Sequence, residues 1–304
     1  MKPSPTRRAA HLLLLACGAV LAMGPSPTAG AQTLSSPVRI ARAPGGDLLV
    51  SDYVQQSILV VRQADLAVRS AFLVAGRPGA VAWGRGRIFV GNDSTGSVEV
   101  YNPAGRWLYD LGGAKGLVPQ PMDIAFDDRR GLVFVVDGSD KLVKVFDANG
   151  PLLYTMPAAG AGGDRLQNPT GIAIDEDREE VLVSDFGDPD IGVPARVHIF
   201  NYHGARLGEI SGASGQQGYG FSRPQGLAVD GSGHVFVVDA MLGQVLVFDR
   251  TTGAGLKRLG TSGTGPGQLL LPLDLVIAGA SQDVFVTSNL AARVEVFRQG
   301  GLVP

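Results

Sequence analysis

The stretch PQGLAVDGSGHVFVVD at 224–239, followed by GQVLVFD at 243–249, packs three strand signals into 26 residues. A short apolar run follows the proline, a turn rich in Asp and Gly interrupts it, and two runs of Val, Leu and Phe follow, the first ending in Asp. Apolar residues at period two, bounded by Gly and Asp, predict strands rather than helix. The pattern recurs. PTGIAIDEDREEVLVSD at 169–185 leads to ARVHIFN at 195–201, and PMDIAFDDRRGLVFVVD at 121–137 leads to KLVKVFD at 141–147. Weaker copies begin at Pro37, Pro78 and Pro272, so six anchoring prolines stand 41, 43, 48, 55 and 48 residues apart. Often a fourth, more polar segment closes the unit, as in GLKRLG at 255–260.

Four short strands per unit at this period predict a blade of a β-propeller. One blade cannot bury both of its faces, whereas six in a ring cover one another. The expected fold is all-β, a six-bladed propeller. Composition agrees, with 43 glycines, 19 prolines and only 18% charged residues in 304, the mix of many strands and tight turns. Gly171 and Gly226 are expected to start innermost strands, where side chains have little room. If residues 1–31 are removed, only Gln32 to Ser36 precede Pro37, and little follows Phe297, so the sixth blade is expected either to have three strands or to be closed by an N-terminal segment.

The segment GTSGTGPGQLLLPLDLVIAG at 260–279 resembles the linker and first strand of NHL repeats, and QGYGFSRPQGLAVD at 217–230 repeats the theme. The resemblance covers residues 37–298 and is clearest from 121 onward; it implies a propeller that serves as a binding scaffold. Val38-Arg39 and Gly79-Ala80 depart from it in the first two units.

Residues 1–31 read as an export signal. Lys2, Arg7 and Arg8 precede an apolar run from Leu12 to Met23, and Ala29-Gly30-Ala31 is a small-x-small cleavage site. The rest, 32–304, is expected to be a single propeller domain, exported to the periplasm or the extracellular space. Cys17, the only cysteine, lies within the apolar run, and the alternative is a lipoprotein anchored through it. Cleavage after Ala31 leaves no thiol for a disulfide or a metal. The chain's formal charge of −2 becomes −5 once the leader's three basic residues are gone, a poor match for nucleic acid. The partner is instead expected to be a protein or a small polar ligand. No segment of the mature chain is apolar enough to span a membrane.

Propellers host many functions, so function rests on particular residues and not on the fold. The peptide-amidating lyases, which resemble this chain in their repeats, hold zinc with three histidines on inner strands. Here His198, His203 and His234 stand elsewhere, and His198 shares its place with Glu99, Lys144 and Glu295, read as polar and outward. The calcium pattern of the gluconolactonase propellers is absent, as is a G-x-S-x-G elbow. The acidic run Asp175-Glu176-Asp177 with Glu179 and Glu180 reads as a solvated hairpin tip. Asp185, Asp188 and Asp190 form a candidate calcium loop. Asp52, Asp137, Asp185 and Asp239, which end second strands, are expected to cap backbone amides. Arg39, Asp123, Thr170, Gln225 and Asp274 are the candidate ligand-binding residues at the channel mouth. Asp123 and Asp274 lie in opposite units, and an Asp274–Arg39 ion pair across the ring closure competes with that role. The function expected is a protein- or ligand-binding scaffold presenting loops 184–195 and 212–223. The alternative is a metal-assisted lyase or hydrolase in the channel.

Overall fold

A computed structural model describes residues 33–157, 165–212, 218–279 and 281–298. The expected leader, with Cys17, lies outside the described residues, as does 213–217 of the loop 212–223.

Among the described residues six antiparallel sheets form the propeller, and a seventh, two-stranded parallel sheet pairs Thr261–Ser262 with Gln268–Leu269 in the linker before blade 6. Blade 1 consists of β1 (Pro37–Ala43), β2 (Asp47–Asp52), β3 (Ser57–Arg62) and β4 (Val68–Leu73). Blades 2 to 5 repeat this up-and-down order over residues 78–110, 121–156, 169–210 and 224–259. Each of the six prolines opens an innermost strand. Blade 6 shows three strands among the described residues, Pro272–Ile277, Val284–Ser288 and Arg293–Phe297. Among the described residues no α-helix forms, and the helical elements are three single 3-10 turns.

The apolar core is six separate cores, one between each pair of neighbouring blades. Phe146 and Val133 of blade 3 pack on Phe89 and Val100 of blade 2. Ile40 and Val50 of blade 1 meet Phe285 and Val294 of blade 6, which closes the ring. A sheet covered on both faces explains the near-continuous Val, Ile and Phe of the second and third strands. It also explains why one repeat cannot stand alone.

This burial overturns one expectation. At the central position of the third strand, Glu99, Lys144 and His198 are all buried and not outward. Each turns toward the residue that ends the second strand of its own blade. Asn92 Nδ2 donates to Glu99 Oε1 at 3.0 Å and Lys144 Nζ to Asp137 Oδ2 at 2.7 Å, and His198 Nε2 lies 3.6 Å from Asp185 Oδ2. The acidic run is part solvated tip and part blade contact: Asp177 and Glu179 are exposed as expected, whereas Glu180 is buried. Arg129 and Arg130 of blade 3 pair with Glu176, Asp177 and Glu179 of blade 4, and Arg250 of blade 5 with the buried Glu180. These turns tie blades together on the face opposite the linkers.

Candidate functional site

The innermost strands determine the channel. In each blade the ladder between first and second strands shifts register just after the proline. Such a bulge leaves an extra residue outside the ladder, and its carbonyl needs another partner. Three of these carbonyls, from Met122, Thr170 and Leu273, accept hydrogen bonds from Arg39. Its Nε donates to Met122 at 2.9 Å, Nη1 to Leu273 at 3.0 Å and Nη2 to Thr170. Arg39 thus crosses from blade 1 to blades 3, 4 and 6, using the planar fork that guanidinium provides. Hydroxyl groups serve two more: Thr287 donates to Val38 O at 3.0 Å, and Ser184 to Gln225 O.

The two aspartates join neighbouring blades. Asp123 accepts from the amides of Ile124 in its own blade and Ile172 in blade 4, at 2.9 and 3.0 Å. Asp274 accepts from Ile40 of blade 1 at 2.9 Å. Each carboxylate also lies 3.7 Å from Arg39 Nη1. Burial pushes both carboxyls up from the usual range, against the pull of Arg39; the Asp123 charge adds to the effect at Asp274, which reaches about 8. Next to them the chain comes so close that a Cβ on Gly226 would lie 1.9 Å from Asp274 Oδ1. One on Gly171 would lie 2.4 Å from Gln225 O.

The five channel candidates therefore separate. Arg39 and Gln225 line a polar mouth of about 350 Å³ on the linker face, with Tyr53, Asp93, Gln120 and Asn289. Asp93 is raised by burial, partly offset by the Tyr53 hydroxyl and Arg77. Asp123 and Asp274 line a wider cavity of about 550 Å³ on the opposite face. Thr170 is buried between blades, its hydroxyl donating to Pro224 O at 2.9 Å.

The candidate calcium residues do not converge. Among the described residues no group of three or more Asp, Glu, His or Cys side chains is placed to hold a metal ion. Asp185 accepts from the amides of Gln167, Asn168 and Gly187 at 2.6, 2.9 and 2.8 Å. Burial would raise it, but the His198 imidazole and these amides hold it below the usual carboxylate range. Asp188 caps the short turn Pro189–Ile191 by accepting from Asp190 N at 3.1 Å. Asp52, Asp137 and Asp239 cap amides of the linker before their blade and of the turn after the strand.

One feature of the linker face is not evident from any single repeat. Two residues past the strand-ending position, blades 5, 6 and 1 carry Met241, Leu290 and Val54, exposed by 64, 65 and 67%. Blades 2 and 3 carry Ser94 and Ser139 there. In blade 4 the longer loop exposes Ile191 instead. Superposing the six repeats as blades would have exposed this asymmetry.

No family model matches the chain. It is 25% identical over 162 residues to the E3 ubiquitin-protein ligase NHLRC1 of Mus musculus, covering 53% of this chain and 37% of that protein. It is 22% identical over 153 residues to the protein brain tumor of Drosophila melanogaster, covering 50% of this chain and 14% of that one. The chain thus spans well under half the length of either relative. Among solved structures it superposes on a chain of Kuenenia stuttgartiensis hydrazine synthase, with a TM-score of 0.63, 13% identity and coverage of 90% of this chain and 98% of that one. The gluconolactonase XC5397 of Xanthomonas campestris gives 0.64 and 18%, covering 88% and 87%. A chain of the nidogen/laminin complex gives 0.55 and 16%, covering 73% and 79%. At these identities the likeness to solved structures is one of fold.

Proposed function

We propose that this chain is an exported NHL-like propeller that binds a protein partner on its linker face. The observation that carries the reading is the apolar arc of Val54, Met241 and Leu290 on consecutive blades, continued by Ile191. Exposed apolar side chains grouped on the loops of a stiff scaffold favour protein association. Export rests on the leader at 1–31.

Photo-crosslinking tests the surface. A benzophenone side chain placed at Met241 or Leu290 is expected to capture a partner in the producing cell, and one at Ser139 on blade 3 is not. The double variant V54S/L290S is expected to abolish capture from Met241 while melting as the parent does. Equal capture from Ser139, or capture that survives V54S/L290S, would sink the proposal. For export, N-terminal sequencing of the secreted protein is expected to begin at Gln32; a lipid-modified Cys17 would replace the free protein by an anchored one.

A further inference from the structure

The apolar arc on blades 5, 6 and 1 is bounded at each end by an arginine. The residue before each anchoring proline is Ser36, Arg77, Gln120, Asn168, Arg223 or Leu271. The residue after each second strand is Tyr53, Asp93, Gly138, Phe186, Ala240 or Asn289. A basic residue and an aromatic one meet at two of the six junctions. Where blade 1 passes to blade 2, Arg77 Cζ lies 5.5 Å from the centre of the Tyr53 ring. Where blade 4 passes to blade 5, Arg223 Cζ lies 5.1 Å from the centre of the Phe186 ring. Both arginines are exposed and both rings half-buried. A guanidinium seated on a ring is held in place and keeps N–H groups to offer a carboxylate. Among the described residues neither guanidinium forms an ion pair, although Asp93 acts on Arg77 from a greater distance.

Between these two points the loops and linkers of this face carry no charge. The tips 240–243, 289–292 and 53–56 read AMLG, NLAA and YVQQ, and the linkers 260–271 and 33–36 read GTSGTGPGQLLL and TLSS. Arg293, which opens the third strand of blade 6, is spent on Glu295 and on the carbonyls of Thr264, Gly265 and Gln268. Arg258, on the outermost strand of blade 5, lies over Tyr219 of the same linker as Arg223 and adds positive charge at that end. The other half of the face is charged with both signs. Its tips hold Asp93, Asp140, Lys141, Asp188 and Asp190, and its linkers Lys115 and Arg165.

We propose that the linker face binds an acidic protein segment, its apolar centre on Met241, Leu290 and Val54 and a carboxylate at each end paired with Arg223 and Arg77. This rests on the reading of that face as a protein-binding surface and adds the partner's chemistry. An apolar patch alone accepts an apolar segment in any direction, whereas paired charges at both ends fix its register and steer its approach. A segment turned onto the other half would set its acids against Asp93, Asp188 and Asp190, which disfavours that placement. The chain as a whole carries −2, so an acidic partner finds its attraction in local positive points such as these.

The benzophenone at Met241 supplies the readout, and mass spectrometry sequences the captured segment, which is expected to hold Asp or Glu on both sides of its apolar centre. R77E/R223E is expected to lower capture about tenfold or more. K115E/K141E makes the same change in net charge at two exposed lysines of the linker and tip around blade 3, and is expected to leave capture unchanged. Replacing the partner's flanking acids by lysine is expected to restore capture by R77E/R223E. Where the reversal prevents folding, as urea unfolding would report, R77Q/R223Q carries the same test with a loss of about threefold or more. Undiminished capture by R77E/R223E, a captured segment without acids, an equal loss in K115E/K141E, or no rescue by the lysines would overturn the proposal and leave the protein-binding reading standing. No capture by the parent protein would instead sink that reading, and the acidic partner with it.

Discussion

Arg39 is the residue on which the channel turns. Replacing it with Met leaves three bulge carbonyls and the Asp123 carboxylate without their partner, at a cost of about 3–5 kcal/mol. R39K is expected to recover only part of this in urea unfolding, because one ammonium cannot reach carbonyls on three blades. Asp274 carries a pH signature of the opposite sign to a carboxylate held low by its hydrogen bonds. Its carboxyl is raised in the fold, so its contribution is complete below the unfolded value near 3.9 and is lost as pH rises through about 8. D274N cannot ionise and keeps an oxygen for the Ile40 amide. Its stability relative to the parent is expected to climb by at least about 1 kcal/mol between pH 5 and 8.5 and to flatten above. A constant difference across that range would refute the buried-acid account. Asp185, held low, works the other way, and its share is lost only as pH falls below the carboxylate range.

At the scale of the strand, closeness at the axis and polar pairing within the blade are what the repeat repeats. Gly226→Ala places a methyl group on Asp274 and the backbone behind it. The expected loss is about 1–3 kcal/mol, larger than for a typical exposed strand glycine, and thermal unfolding measures it. Lys144→Met removes the ammonium that lies between Asp137 and Asp140. Asp137 keeps its backbone amides but loses its charge partner in a fully buried place, at about 1–3 kcal/mol. Leu246 already occupies this position in blade 5, where Asp239 relies on amides from Ser222, Arg223, Met241 and Leu242. K144M is therefore expected to fold, with lowered stability. These positions were misread from sequence for a definite reason. Period-two alternation assigns one wet face to a strand, but a blade is packed on both faces. A polar residue in a third strand then meets the end of its own second strand instead of water.

For the whole molecule, ring closure gives the two mouths different linings. The linker face combines the Arg39 mouth with exposed apolar loop tips on blades 5, 6 and 1, and the opposite face opens into a wider cavity with Asp123 and Asp274 at its inner end. Disruption of the loop tips is expected to spare the ring: V54S/L290S should lose crosslinking from Met241 yet keep the parent's midpoint in urea unfolding, since both side chains are exposed. A lowered midpoint in V54S/L290S would mean that these tips also hold the ring together.

The six prolines at their period, the Asp-ended second strands and the glycines at 171 and 226 suffice to predict the blade count and the crowded axis. Those features are local, since each repeat must bury the same apolar stripes and cap the same amides whatever its neighbours do. The fate of Arg39, Asp123 and Asp274 is not local. Their partners lie up to 234 residues away in sequence, and only closure of the ring brings blades 1, 3, 4 and 6 to one axis. Tertiary structure alone therefore decides that Arg39 is spent on backbone carbonyls and that two acids share its charge. It also decides that the five candidates divide between two mouths and the seam between blades, because hydrogen-bond partners and burial are properties of the assembled ring, not of any one repeat.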